Sequence, residues 1–204
     1  IIDSYTMTES EKDEITVRIV YEGRAAKVVL ENSKLKEIEE YYKQCADEGA
    51  NDYQIEESKK ASANMNAIIG DPDRLKAIAK DFVKHYETRI EEGATIKGKA
   101  LFVCSSRPIA FNLYQEIVAL RPEWTAVKAF EEGSELTDKE KKEIKPMERI
   151  KMIMTRGKDD PKAMYDLLGT KDDRKELDRQ FKNEKSNFKI AIVVDMWLTG
   201  FDVP

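Results

Sequence analysis

The sequence is poor in metal-binding and redox residues. Its 204 residues hold two cysteines, Cys45 and Cys104, and a single histidine, His85. The lone histidine has no second His and no cysteine cluster beside it, so neither a zinc site nor a triad built on it is expected. Each cysteine falls at an apolar position of an expected element. Both therefore read as reduced, buried thiols of a cytosolic protein, and His85 reads as a residue on a helix surface. No apolar run approaches the ~20 residues that a membrane-spanning helix requires. The chain opens on Ile1-Ile2 with neither a Met nor a signal peptide, and it stops at Pro204 just after a strand-like run. It reads as a piece of something longer at both ends. There is no G-x-x-x-x-G-K-[ST] loop: Gly98-Lys99 and Gly157-Lys158 are not followed by Ser or Thr. There is no G-x-S-x-G and no acidic tetrad after a strand, so the fragment is expected to hydrolyse nothing alone. Internal repeats and low-complexity tracts are also absent.

Charge, by contrast, is abundant. Charged residues are 37% of the chain, against roughly 25% in an ordinary soluble domain. Lys and Arg total 35, Asp and Glu total 40, and the formal net charge is −5. This excludes a uniformly basic nucleic-acid binder but leaves room for a local phosphate-binding edge. Hydrophobic residues, at 41%, suffice for a core.

Periodicity places the elements. Residues 15–21 and 24–30 alternate around Glu22-Gly23, which predicts a β-hairpin. Ser33 caps an expected helix carrying Leu35, Ile38, Tyr41, Tyr42 and Cys45, which Gly49 stops. A more polar helix is expected over 53–69. Asp71 caps and Pro72 opens a stronger one, with Leu75, Ile78, Ala79, Phe82, Val83, Tyr86 and Ile90 on one stripe and Gly93 at its end. Residues 99–104 form a nearly continuous apolar run, of the kind buried on both faces of a parallel sheet. Pro108 then opens a helix with Ala110, Leu113, Tyr114, Ile117 and Val118 inward, and residues 124–130 read as a second strand, completing a βαβ unit. Over 131–151, 13 charged residues of both signs predict a mobile surface insertion or an exposed helix rather than a site. Pro161 opens a short helix that ends before Gly169. Thr170 and Asp173 form a capping-box pattern for the next helix, with Leu177 and Phe181 inward. Residues 188–194 are a last apolar strand.

Two of these strands end in polar residues: Ser105-Ser106-Arg107, and Asp195 with Thr199-Gly200-Phe201-Asp202. In an open α/β sheet, ligands bind outside the carboxyl ends of the strands. Hydroxyls, an Arg and backbone N–H groups at a helix start suit phosphate oxygens. Gly200 would let a backbone approach a phosphate or ribose closely, and Asp202 would accept from a ribose hydroxyl or pair with an Arg. The plain alternative is that Ser and Arg beside Pro108 cap a helix and that Thr-Gly is a turn.

At these residues a resemblance emerges. IAIVVDMWLTGFDVP (190–204) looks like motif V of the motor, or R, subunit of type I restriction enzymes, and KALFVCSSRPIAFNLYQEI (99–117) resembles its motif IV. ITVRIVYEGRAAKVVL (15–30) resembles the segment entering the second motor domain, and 173–195 is similar to the stretch before motif V in superfamily 2 helicases. The resemblance covers nearly the whole chain, in order. It implies an α/β, RecA-like parallel sheet flanked by helices, preceded by a β-hairpin and a helical segment. Residues 1–97 would enter the lobe, and 98–204 would be the second RecA-like lobe, cut before motif VI with its arginine finger.

The resemblance further implies a role in an ATP-dependent DNA translocase that forms part of a type I site-specific deoxyribonuclease. The nuclease centre and the Walker A loop would lie elsewhere in the parent chain. Ser105, Ser106, Arg107, Thr199 and Gly200 would contact the DNA backbone, and Asp202 would face the nucleotide cleft. ATP and Mg2+ are expected in the full-length subunit and none bound by the fragment. The implied partners are double-stranded DNA, the modification and specificity subunits, and the first RecA-like lobe, in a bacterial or archaeal cytoplasm without a membrane. The alternatives are the second lobe of another superfamily 2 helicase and a non-catalytic α/β module docking through the helices of 33–90.

Overall fold

The computed structural model describes residues 6–15, 22–23, 66, 68–93, 98–130 and 135–197. The expected hairpin strands and the helix after Ser33 lie outside these residues. Of the polar helix expected over 53–69, only residues 66, 68 and 69 fall within them, and these are helical. A short helix, α1 (Met7–Lys12), is closed by a Thr6–Glu9 capping box.

The helix expected after Asp71 is α2 (Pro72–Glu91). The Asp71 carboxylate accepts from the Arg74 backbone N–H at 3.0 Å, and Pro72 sits in the first turn, where its missing N–H costs nothing. Leu75, Ala79, Val83 and Tyr86 are buried, whereas Ile90 is exposed beyond the packed stripe. The Tyr86 hydroxyl donates to the Gly98 carbonyl at 2.5 Å, tying α2 to the start of the sheet. Gly98 has φ +52, and a Cβ there would stand 3.1 Å from Ile90 Cδ1, so both conformation and space select glycine.

Among the described residues, the sheet has three parallel strands in the order β1 (Ala100–Val103), β3 (Ile190–Val193), β2 (Ile150–Ile153). Helix α3 (Arg107–Leu120) follows β1. The chain then passes through a 3-10 turn (Pro122–Thr125), α4 (Asp138–Glu143), β2, α5 (Lys162–Leu167) and α6 (Lys171–Lys182) before entering the central strand. This is the α/β, RecA-like architecture that the sequence predicts: a parallel sheet flanked by helices.

Side chains alternate across β3, as a pleated strand requires. Ile190 and Ile192 join Ile150, Met152, Leu113, Ile117 and the α2 stripe in one core. Ala191 and Val193 join Ile153, Leu177, Phe181 and Phe188 in a second core on the opposite face. Every residue of β3 is buried, because it is flanked by strands on both edges and covered on both faces.

Three sequence expectations are corrected. Residues 124–130 are not a strand. Pro122 starts a 3-10 turn, Trp124 is buried with its ring 5.4 Å from that of Tyr86, and Lys128 makes only an isolated antiparallel bridge to Met147. The second strand of the βαβ unit is instead β2, whose first residues lie within the charged stretch 131–151. Finally, β1 is not buried on both faces. It is an edge strand with alternating burial, Leu101 and Val103 remaining 39% and 49% exposed.

Within the charged stretch, Asp138–Glu143 is an exposed helix, whereas Ile144 and Met147 after it are buried. The α4 cap pairs Thr137 with Glu140, and Lys185 donates to Glu140 at 2.7 Å. Those bonds pull the Glu140 carboxyl down to about 2. Cys104 is buried and free, with its thiol pushed up to about 11 by desolvation, while Cys45 lies outside the described residues. His85 sits half-buried on α2. Among the described residues, no helix is long and apolar enough to cross a membrane.

Candidate functional site

Parallel strands bring their carboxyl ends to one edge of the sheet. Three loops meet there: 104–107 after β1, 154–160 after β2, and 194–197 after β3. With β3 in the middle, the first two loops start about 10 Å apart, two strand spacings.

Ser105 is exposed. Ser106 is the N-cap of α3, with extended backbone (φ −153°, ψ 159°), and its carbonyl accepts from the Ala110 N–H at 3.0 Å. Its hydroxyl makes no capping bond, so the cap is a backbone one and the side chain is not committed to it. Arg107 is the first residue of the helix and reaches across to the second loop. Its Nε and Nη2 donate to Asp160 Oδ1 and Oδ2 at 3.1 and 2.5 Å. Asp160 Oδ2 also accepts from the Gly157 backbone N–H at 2.6 Å.

The Asp160 carboxylate is therefore a junction between two loops. The Arg107 guanidinium, and after it the Gly157 N–H, hold its carboxyl below the usual aspartate range. The Asp160 side chain is 8% exposed and that of Arg107 31%, so the pair is sheltered on the carboxylate side and open on the guanidinium side. Gly157 accommodates this packing, since a Cβ there would lie 3.1 Å from Asp160 Oδ1.

Sequence reasoning missed the second loop because it missed β2. Thr155, Arg156 and Lys158 are all exposed at this edge. Arg156 is fixed rather than free-swinging: Nε donates to the Leu168 carbonyl at 2.5 Å and to that of Tyr165 at 3.1 Å. Its guanidinium carbon lies 4.4 Å from the centre of the Tyr165 ring. A signal was present, since Thr155-Arg156-Gly157-Lys158 follows Met152-Ile153-Met154 in the same way that Ser105-Ser106-Arg107 follows β1.

After β3 the chain turns sharply. Asp195 and Trp197 both have left-handed backbone, with φ of 51° and 59°, and the Trp197 ring stacks 5.5 Å from that of Phe181. A left-handed conformation is uncommon for a bulky residue, so packing against Phe181 and Met196's neighbours in the second core holds the turn in place. Thr199, Gly200 and Asp202 lie outside the described residues. The structure thus brings Ser105, Ser106 and Arg107 together with the unanticipated Thr155–Asp160 loop. Among the described residues, no group of three or more His, Cys, Asp or Glu side chains is placed to hold a metal ion.

Comparison with known proteins shows the family. A family profile described as Type I restriction enzyme subunit R domain 3 matches residues 96–204, the segment that contains the whole sheet. The chain is 35% identical over 151 residues to the type I restriction enzyme HindI endonuclease subunit of Haemophilus influenzae, covering 74% of this chain and 12% of that protein. It is 30% identical over 205 residues to a putative type I restriction enzyme MjaIXP endonuclease subunit of Methanocaldococcus jannaschii, covering 100% of this chain and 17% of that protein. The chain thus spans less than a fifth of either relative. No solved structure matches it.

Proposed function

Since the chain belongs to the type I restriction enzyme R subunit family, we propose that it forms most of the second motor lobe of an ATP-dependent, DNA-translocating restriction subunit. The observation that carries this reading is the edge where the β1 and β2 loops meet. It presents hydroxyls, a helix start and two arginines on a rigid parallel sheet. Such donors suit a phosphodiester backbone and carry no information about base sequence. In this reading, Ser105, Ser106, Arg107, Thr199 and Gly200 contact backbone phosphates, and Asp202 faces the nucleotide cleft. Arg107 has Nε and Nη2 bound to Asp160, which leaves Nη1 for a phosphate oxygen.

ATP and Mg2+ belong to the intact subunit. In this reading the lobe's part is to bind the DNA backbone and help close the cleft. Its partners in this reading are double-stranded DNA, the first motor lobe, and the modification and specificity subunits.

The test is DNA-stimulated ATP turnover by the intact parent subunit with its methyltransferase partner, wild type beside Arg107→Ala and Asp202→Ala. Each variant should lose roughly tenfold or more, since a charge-assisted contact contributes about 1.5–3 kcal/mol. Unchanged turnover in both variants would remove these residues from the proposed interface. Because Arg107→Ala also strands the Asp160 carboxylate, a melting curve on the same sample separates lost contact from lost fold.

A further inference from the structure

The two arginines of this edge are not equivalent. Arg107 faces a carboxylate that is itself well sheltered, so most of its charge is already answered within the protein. Arg156 has only backbone carbonyls and a ring as direct partners. Nε is anchored to the carbonyls of Leu168 and Tyr165, at the end of α5, and the guanidinium lies over the Tyr165 face. Asp173 feels its charge, and that carboxylate is held by the Thr170 cap, accepting from the Thr170 N–H and hydroxyl at 2.7 Å each. Among the described residues, the terminal Nη groups of this exposed arginine pair with no carboxylate, on a side chain whose direction is already set.

Preorganisation of this kind has a physical consequence. A flexible Arg or Lys loses rotamer freedom when it closes on an anion, while a side chain already fixed by two hydrogen bonds and a ring loses little. The same loop also exposes Thr155 and Lys158 beside Arg156. The Arg107–Asp160 pair and the Asp160–Gly157 bond fix this loop against the start of α3, so the cation is rigid relative to Ser105 and Ser106.

We propose that Arg156, seconded by Lys158, is a further phosphodiester-binding position of this lobe beside Arg107, whose pairing with Asp160 also holds the loop that carries Arg156. This rests on the reading of the lobe as a DNA-contacting one. The competing role is purely structural: Arg156 would serve as a cap for the α5 carbonyls and nothing else.

The experiment measures binding of the intact parent subunit to a fluorescein-labelled non-specific DNA duplex by anisotropy, titrated across roughly 50 to 200 mM salt. Loss of one phosphate contact lowers the steepness of log K against log salt by about 0.9. Arg156→Gln should show that decrease, with several-fold weaker binding at the low-salt end, and Lys158→Gln a decrease in the same direction. A folded Arg156→Gln variant with wild-type steepness and affinity overturns the inference and leaves only the cap. A second readout needs no mutation: phenylglyoxal modification of Arg156 in the wild-type subunit, followed by mass spectrometry. The duplex should slow modification several-fold, and equal modification with and without duplex overturns the inference even if the variant fails to fold. If the wild-type subunit binds no duplex at any salt, the functional reading itself falls, which is a different result from a wild type that binds and a variant that binds equally well.

Discussion

Arg107 and Asp160 show how a single pair can shape a site without being its reactive part. The carboxylate accepts from the guanidinium and from the Gly157 N–H, and all three donors favour its charged form. A carboxyl whose folded pKa is depressed contributes stability that is complete above its unfolded value, about 3.9, and that disappears as pH falls through the folded value below it. At neutral pH, Asp160→Asn should therefore cost about 1 kcal/mol, less than the usual charge-assisted bond because the guanidinium side is open to solvent. Thermal melts of wild type and variant should differ at about pH 7, and the gap should shrink as pH falls below about 3.9. A gap that persists undiminished in acid would mean that Asp160 acts through shape rather than charge. A contrasting residue is Lys99, whose Nζ is buried without a hydrogen-bond partner, 5.6 Å from the Phe181 ring centre. Desolvation, aided by the nearby Lys189, brings its ammonium down to about 8.

At the scale of elements, local chemistry and position in the sheet were unequally legible. The α2 and α6 termini could be read residue by residue, because Asp71-Pro72 and Thr170-x-x-Asp173 satisfy the first-turn N–H groups by themselves. β3 was legible as well, since burial on all sides leaves only apolar residues in its core. β2 was not. Its Lys151 pairs with Glu148 at 2.7 Å and hides a strand inside a charge-rich stretch, so the tertiary pairing with β3 decides what composition obscures. The loop after β2, and Arg156 with it, went unseen for the same reason. Trp124 misled in the opposite direction: an aromatic, β-favouring residue is held in a 3-10 turn by its fit against Tyr86. The junction between α5 and α6 gives a sharp test of such local fit. A Cβ on Gly169 would stand 2.5 Å from Asp173 Cβ, an atom that cannot swing away without moving the α6 backbone. Gly169→Ala should expel Asp173 from its cap and destabilise the protein by about 1–3 kcal/mol, read as a lower denaturant midpoint at unchanged slope. An unchanged midpoint would show that this junction relaxes freely.

For the molecule as a whole, the question is whether two cores on opposite faces of one narrow sheet unfold as one. Ile190 and Ile192 belong to the core under α2 and α3, while Ala191 and Val193, their immediate neighbours in sequence, belong to the core under α6. Neither core can lose β3 without the other losing it too. The link is reinforced outside the sheet: Arg121 clamps α3 to α2 through Glu87 at 2.5 and 2.6 Å, and Asn187 donates to the Met147 carbonyl at 2.8 Å beneath β3. The two tryptophans of the chain are well placed to report separately. Trp124 is buried in the first core, 6% exposed, and Trp197 packs against the second through Phe181. Fluorescence of Trp197→Phe follows the first core and that of Trp124→Phe the second. Each tryptophan also contributes packing, so each variant has its own midpoint, and comparison is made within a variant between fluorescence and far-ultraviolet circular dichroism. The shared strand predicts coincident transitions by both probes in both variants, the mark of a single cooperative unit. If the Trp197 signal were lost at a lower denaturant concentration than the helical signal, the α6 layer would be a separately unfolding unit. The edge loops would then rest on a sheet covered stably on one face alone, and the fixed relation between Ser105, Arg107 and Arg156 that the interface requires would fail under conditions where the rest of the fold survives.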